Sequence, residues 1–160
     1  MSVMADIAAS YRGPVPVLRR RIAGEQESRA LAILMAGCVL LFIAQWPRLS
    51  RQAFETGAEV QMLIGGSLMA LVFMLPLILY VLAGLSHAIA RVFGGKATPY
   101  AARMALFWAL LASAPVFLLN GLMEGFIGPS LQTSLTSALA LAVFLWFWLA
   151  GLFAVERGTS

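Results

Sequence analysis

The feature that most constrains this chain is an uncharged run of 31 residues, positions 60–90. It contains no Asp, Glu, Lys or Arg, and its centre is almost wholly apolar. About 20 apolar residues suffice for a helix to cross the hydrocarbon core of a bilayer, so this run can span it with residues to spare. We therefore interpret it as the element around which the rest of the chain is organised.

The composition agrees with a membrane location. The chain has 160 residues, of which 61% are hydrophobic and 11% charged, whereas soluble domains have about 25% charged residues. A soluble protein of this size could not bury that much apolar surface, so lipid must solvate much of it. The net charge is +4, and the basic residues cluster beside the apolar runs. This pattern favours contact with anionic lipid headgroups over nucleic acid.

Four apolar runs predict an all-α integral membrane bundle with four transmembrane helices. We expect spans at about residues 30–46, 60–87, 104–119 and 131–154, within a transmembrane domain of residues 29–156. Residues 47–59 are predicted to form a polar loop, and a kink is expected at Pro76. The glycine-rich connection at 119–130 is unusually apolar for a loop. It is expected to lie at the membrane interface or to dip into the membrane, and a fifth span or re-entrant segment there is left open.

The first 28 residues predict an amphipathic segment in the plane of the headgroups. Ile7 and Tyr11 fall on one helical face, with Asp6 and Ser10 off it. Gly13–Pro14 interrupts this helix, because proline disfavours helix in the preceding residue. A second short helix then carries three arginines, Arg19, Arg20 and Arg21. A disordered basic tail is the alternative interpretation.

The distribution of Lys and Arg predicts the orientation. Nine of these residues lie in the N-terminal segment, the 91–103 loop and the C-terminus, and only Arg48 and Arg51 lie on the other side. The positive-inside rule therefore predicts an inner (plasma) membrane protein with both termini in the cytoplasm.

Small residues at four-residue spacing predict close helix packing in three spans. Packing within the chain is favoured over contact between copies. The sets are Gly66 and Ala70, then Ala105, Ala109 and Ser113, and finally Ser134, Ala138 and Ala142.

The chain contains no pattern typical of an enzyme. One histidine and one cysteine cannot complete a metal site, and no glycine-rich phosphate loop is present, so we expect no catalytic residues, no cofactor and no metal. His87 is the one candidate for a polar site, as a proton carrier or ligand, although an interfacial or hydrogen-bonded histidine is the simpler interpretation. Gln45 and Asn120 are expected to cap helices or to bond between them, and Glu124 to be hydrated.

One stretch resembles a known family. The segment from Ser86 to Tyr100 contains Phe93-Gly94-Gly95-Lys96 and is followed by an apolar helix with Pro115, and this arrangement is similar to the Yip1 family of membrane proteins. The resemblance covers about residues 70–120. Gly94, Gly95, Lys96 and Pro115 carry it, and for bacterial members it implies a membrane protein of unassigned biochemistry.

Three functions are compatible with these patterns. The first is a non-enzymatic scaffold or interaction protein of the Yip1 type, with a basic surface toward anionic lipid, other membrane proteins or a second copy. The second is a small accessory subunit of a respiratory or photosynthetic membrane complex, and the third a small-solute transporter or channel. The residues of the predicted basic surface are Arg12, Arg19, Arg20, Arg21, Arg91, Lys96 and Arg103.

Overall fold

The computed structural model describes residues 3–22, 27–95, 99–128 and 130–156. Within these ranges the chain is helical, without strands. The helices are α1 (Val3–Ser10), α2 (Pro14–Ile22), α3 (Glu27–Thr56), α4 (Val60–Leu68), α5 (Leu75–Val92), α6 (Pro99–Phe126) and α7 (Leu131–Glu156), with a π-helical segment at Met69–Met74 between α4 and α5.

The prediction of an all-α bundle with four spans is confirmed. Four helical stretches of the described chain are long and apolar enough to cross a membrane: Ser28–Thr56, Val60–Val92, Pro99–Phe126 and Leu131–Val155. Each is longer than the apolar run that predicted it, above all the first and the third, which continue through residues 47–56 and 120–126. The chain is therefore a multi-pass membrane protein.

The centre of the bundle is α6. Its first half is almost continuously buried between Tyr100 and Ala114, including the large side chains of Phe107 and Trp108. Helices α3, α5 and α7, together with the N-terminal α1 and α2, surround it. The uncharged run at 60–90 forms one side of the bundle, and most of its surface faces outward. The interpretation of that run as the organising element is therefore wrong.

Two glycines bring α6 close to α3. A Cβ atom placed on Gly121 would lie 2.8 Å from the carbonyl carbon of Ala44, and one on Gly125 would lie 2.8 Å from that of Pro47. Only glycine allows such a close approach of two backbones. Small residues at four-residue spacing pack membrane helices in this way. The connection predicted at 119–130 is thus largely helix, with a turn that begins at Ile127.

The polar loop predicted at 47–59 is also wrong, because α3 continues through Pro47 to Thr56. Proline removes a single helical hydrogen bond, and the packing of Gly125 against Pro47 stabilises the helix at this point. The helix ends at Thr56 and is followed by Gly57, whose φ of 75° is the left-handed conformation common just after helices.

A π-helical segment lies close to Pro76, where a kink is predicted. Residues Met69–Met74 form this wider turn and Leu75 separates it from Pro76, which lies in the first turn of α5. The kink itself stays a prediction. A proline cannot donate its backbone bond, and a local π turn is one way in which a helix accommodates that loss.

The N-terminal segment forms a helical hairpin that packs on α6 and α7. An ion pair of 3.2 Å between Arg20 and Asp6 joins its two helices. The Trp108 indole donates to Ser10 Oγ at 3.0 Å, and Ser10 Oγ donates to the Asp6 carbonyl at 2.9 Å. Asp6 and Ser10 are therefore buried against the bundle, which contradicts their predicted position off the apolar face.

The turn of the hairpin lies beside the middle of α6. The Tyr11 hydroxyl donates to the carbonyl of Ala112 at 2.7 Å, and its ring packs edge-on against Phe147. Ala112 is about 20 Å along α6 from Pro99, which is half the length of this helix. The N-terminal segment is therefore packed along the bundle as far as the middle of α6, and its position among the headgroups stays a prediction.

The three predicted sets of small residues differ in position. Ala105, Ala109 and Ser113 are buried inside the bundle, so packing within the chain is confirmed for α6. The residues of the other two sets are exposed. They are Gly66 and Ala70 on one side, and Ser134, Ala138 and Ala142 on the other.

Candidate binding sites at the two ends of the bundle

One end of the bundle collects several of the predicted basic residues. Helix α5 ends and α6 begins at this end, so Arg91 and Arg103 both lie there. Leu18 of α2 lies against Gly151, close to Ala105 of α6, and places the second half of α2 near the same end. We refer to this end as the basic end.

The individual basic residues are not equivalent. Arg91 is exposed, Arg20 is half exposed beside Asp6, and Arg103 is partly buried. Arg12 is exposed but belongs to the hairpin turn, well below the basic end. Lys96 lies outside the described residues, as do the side chains of Arg19 and Arg21, although both arginines belong to α2.

The glycine turn of the predicted family motif caps α5. Gly94, with a φ of 90°, follows the last residues of the helix, and its N–H donates to the Arg91 carbonyl at 3.1 Å. The Gly95 N–H donates to the Ala90 carbonyl at 2.8 Å. This pair of bonds is a Schellman motif, which requires a left-handed residue where Gly94 stands. The glycine therefore has a structural role at this end of the bundle.

An apolar cleft adjoins this turn. It has a volume of about 580 Å³, lies between the ends of α5 and α7, and has Ile89, Phe93, Trp148 and Phe153 among its walls. Phe93 is 85% exposed. Within the described chain, the Trp148 indole N–H is buried without a hydrogen-bond acceptor. Such a cleft suits an apolar ligand, since small-molecule sites are mostly apolar concavities of about 300–1,000 Å³.

His87 is buried between helices. Tyr80 of α5 packs edge-on against Phe107 of α6 at 4.9 Å. His87 and Tyr100 each lie two helical turns from this contact, toward the basic end, on antiparallel neighbours. His87 is therefore placed at the level of Tyr100, facing the bundle, and not at an open interface.

Pro115 lies within α6 and is exposed. It comes three residues after Ala112, whose carbonyl receives the Tyr11 hydroxyl.

The opposite end carries a polar cavity of about 340 Å³ between α3, α6 and α7. We call it the outer polar cavity. Its walls include Arg48 and Arg51 of α3, Glu124 of α6, and Ser134 and Ser137 of α7. Glu55 also lines the cavity, so two guanidinium groups and two carboxylates face one concavity.

The contacts that the Glu124 carboxylate makes with described residues are long. It lies 3.5 Å from Arg48 Nε, and at the same distance from Asn120 Nδ2 and Ser137 Oγ. Hydrogen bonds between such groups normally measure about 2.5–3.2 Å. Three donors therefore surround Glu124 at distances longer than ordinary hydrogen bonds, and the cavity has room for a further polar group.

Sequence reasoning missed this site because it interpreted residues 119–130 as a loop. On a helix, Asn120 and Glu124 are neighbours at four-residue spacing, and that spacing was the available signal. Asn120 also accepts from Ser137 Oγ at 3.0 Å, which confirms the predicted bond between helices. Gln45 instead accepts from Arg48 Nε within α3, at 2.8 Å.

No group of three or more His, Cys, Asp or Glu side chains comes together within the described ranges. Comparisons of this chain with protein-family models, with curated proteins and with solved structures found no match.

Proposed function

We propose that this protein is a non-enzymatic membrane scaffold or interaction protein of the Yip1 type, located in a bacterial inner membrane with both termini in the cytoplasm. The observation that supports it best is the convergence of basic residues and an apolar cleft at one end of the bundle. Such a surface fits an anionic lipid, or a membrane partner that presents an acidic group beside an apolar one.

The chemistry of the basic end supports a lipid contact. Arg91 is exposed on the last turn of α5, two residues before Phe93 on the wall of the cleft. A phospholipid with an acyl chain in the cleft would place its headgroup phosphate near the guanidinium of Arg91. Cationic residues near a membrane surface each contribute about 1 kcal/mol to the attraction of anionic lipid.

The test measures lipid retention by the whole protein. Native mass spectrometry from detergent would compare phosphatidylglycerol bound by the wild type, by Arg91→Gln and by the matched control Arg12→Gln on the exposed hairpin turn. We expect Arg91→Gln to lower retention about fivefold, which corresponds to about 1 kcal/mol. Arg12→Gln should leave retention unchanged. Equal retention in all three proteins would overturn the role of the basic end.

A specific observation also favours the accessory-subunit alternative. At Gly65, Gly66 and Gly84, no described atom beyond the neighbouring residues and the backbone of the same helix lies within 4 Å of where a Cβ atom would be. This side of the α4–α5 segment can therefore receive a helix from another protein at close range. Native gels in mild detergent distinguish the alternatives. Migration with a large complex supports an accessory subunit, and reproducible migration alone excludes it.

A further inference from the structure

We propose that the outer polar cavity binds a zwitterionic group in which a phosphate ester is joined to a primary amine, as in the headgroup of phosphatidylethanolamine. This site lies at the opposite end of the bundle from the basic end and is independent of the function proposed above.

The cavity can receive the phosphate. Arg48 uses its Nε atom toward Gln45 and Glu124, so the outer nitrogens of its guanidinium remain to bind an anion. Arg51 also lines the cavity. Its Nε atom donates to Glu55 and its Nη1 atom to the carbonyls of Gly125 and Phe126, so its Nη2 atom is the donor that can face a phosphate oxygen. The first turn of α7 contributes Thr133 and Ser134. A helix N-terminus attracts negative charge because its partial charge is positive.

The same cavity can receive the amine. The contacts of Glu124 with described residues measure 3.5 Å, and its carboxylate can accept a charged hydrogen bond from an ammonium group placed among them. The carboxylate of Glu55 lines the same cavity, where it accepts from Arg51 Nε at 2.9 Å.

The balance of charge selects a zwitterion. The two guanidinium groups and two carboxylates of the cavity cancel at neutral pH, so a purely anionic ligand would leave the carboxylates opposed to it. A primary ammonium donates three hydrogen bonds, whereas the quaternary ammonium of choline donates none and is bound by aromatic faces. None of the described residues that line the cavity is aromatic. The site therefore favours ethanolamine over choline.

The surroundings favour a membrane lipid over a soluble headgroup. Arg51 and Glu55 are shared with a second cavity of about 560 Å³, whose walls include Phe54 and Phe126. These two aromatic side chains are 91% and 81% exposed. Apolar walls beside the polar site provide a place for acyl chains next to the bound headgroup.

The experiment uses the full chain in detergent and native mass spectrometry. Phosphatidylethanolamine, phosphatidylcholine and phosphatidylglycerol with identical acyl chains would be offered at equal concentration. We expect phosphatidylethanolamine to bind about tenfold more tightly than phosphatidylcholine, as the loss of one charge-assisted hydrogen bond predicts. Equal binding of the two would overturn the proposal.

Two substitutions separate the two halves of the headgroup. Glu124→Gln should abolish the preference for ethanolamine over choline. Arg48→Gln should weaken the binding of phosphatidylethanolamine and phosphatidylcholine by a similar factor. Arg12→Gln, on the exposed hairpin turn away from both sites, is the matched control and should change neither. If the preference survives in a folded Glu124→Gln protein, the amine site is wrong. Should that variant fail to fold, Glu55→Gln on the exposed side of the cavity provides the same test.

A second arm identifies the source of the headgroup. Glycerophosphoethanolamine, which lacks acyl chains, would compete with bound phosphatidylethanolamine. Weak competition that requires a large excess supports a membrane lipid as the ligand. Competition at equal concentration would overturn the lipid assignment and identify a soluble phosphoethanolamine ester.

Discussion

Helix α6 and the Val60–Val92 segment are both long, apolar helical stretches, but the protein uses them in opposite ways. The Val60–Val92 segment is the more apolar of the two, and yet only 17% of its most apolar 18-residue window is buried, against 56% for α6. The less apolar helix therefore occupies the centre, and the more apolar one faces outward.

This difference follows from the solvent. In lipid, apolar side chains gain nothing by facing one another, so helices associate through close packing and hydrogen bonds. The central helix accordingly carries Gly121 and Gly125 against α3, and Trp108 bonded to Ser10. High apolar content is a mark of contact with lipid, and it does not identify the interior of a membrane bundle.

The largest expected difference between α6 and the Val60–Val92 segment comes from replacing a glycine in each of them by a larger residue. Gly121→Leu places a side chain where the backbone of Ala44 lies, and should destabilise the protein by about 3 kcal/mol. Gly66→Leu, which meets nothing within 4 Å, should change stability by less than about 0.5 kcal/mol. Unfolding by SDS in mixed micelles measures both. Equal losses would show that α6 is not the packed centre.

A phenylalanine in each region provides a second test. Phe107 is fully buried on α6, whereas Phe73 is 59% exposed. Phe107→Ala should cost about 2–3 kcal/mol, which is below the usual value in soluble proteins because the unfolded chain stays in lipid. Phe73→Ala should cost less than about 0.5 kcal/mol. The same unfolding assay applies, and a larger loss at Phe73 would reverse the assignment of the two faces.

The hydrogen bond between α6 and the N-terminal hairpin sharpens the comparison further. Trp108→Phe removes the indole donor to Ser10 and should cost about 1 kcal/mol, within the range of polar bonds between membrane helices. Trp146→Phe is the matched control, because Trp146 is exposed on α7. A double-mutant cycle with Ser10→Ala should give a coupling energy of similar size. A coupling of zero would mean that the hairpin does not dock on α6.

The smallest expected effect concerns the bond between α6 and α7. Ser137→Ala removes the 3.0 Å bond to Asn120 and should cost about 0.6 kcal/mol. Ser67→Ala, on α4 in the outward-facing segment, should be neutral within the precision of the same assay. A greater loss at Ser67 would indicate that this segment makes polar contacts of its own.

Much of the fold was predictable from sequence, and the reasons for the errors are physical. The apolar runs predicted four spans because the thickness of a bilayer sets a minimum length for a helix. The helix ends were misplaced at Pro47 and Gly121, since proline and glycine usually end helices in isolation. In the bundle, each of these residues packs against the other helix and is held in helical conformation by that contact.

The two candidate sites differ in the same way: one could be recognised from local sequence and the other could not. The glycine turn at the basic end was recognisable, because Gly94 follows an apolar helix directly and caps it through local bonds. The outer polar cavity was not, because its groups come from three helices that are distant in sequence. Glu124 and Arg48 are 76 positions apart, and only the packing of α6 on α3 brings them together.

By itself, the sequence determined that the chain is a helical membrane protein with four spans, because hydrophobic length is a local property of each run. Only the tertiary structure decided which span is central, where the N-terminal hairpin docks and which polar groups share a cavity. These three features depend on the close approach of two backbones at single glycines and on hydrogen bonds between residues distant in sequence. Such contacts leave no trace in the hydropathy of an apolar run. The uncharged stretch at 60–90 is therefore the clearest sign of the membrane, while α6 is the element on which the bundle is built.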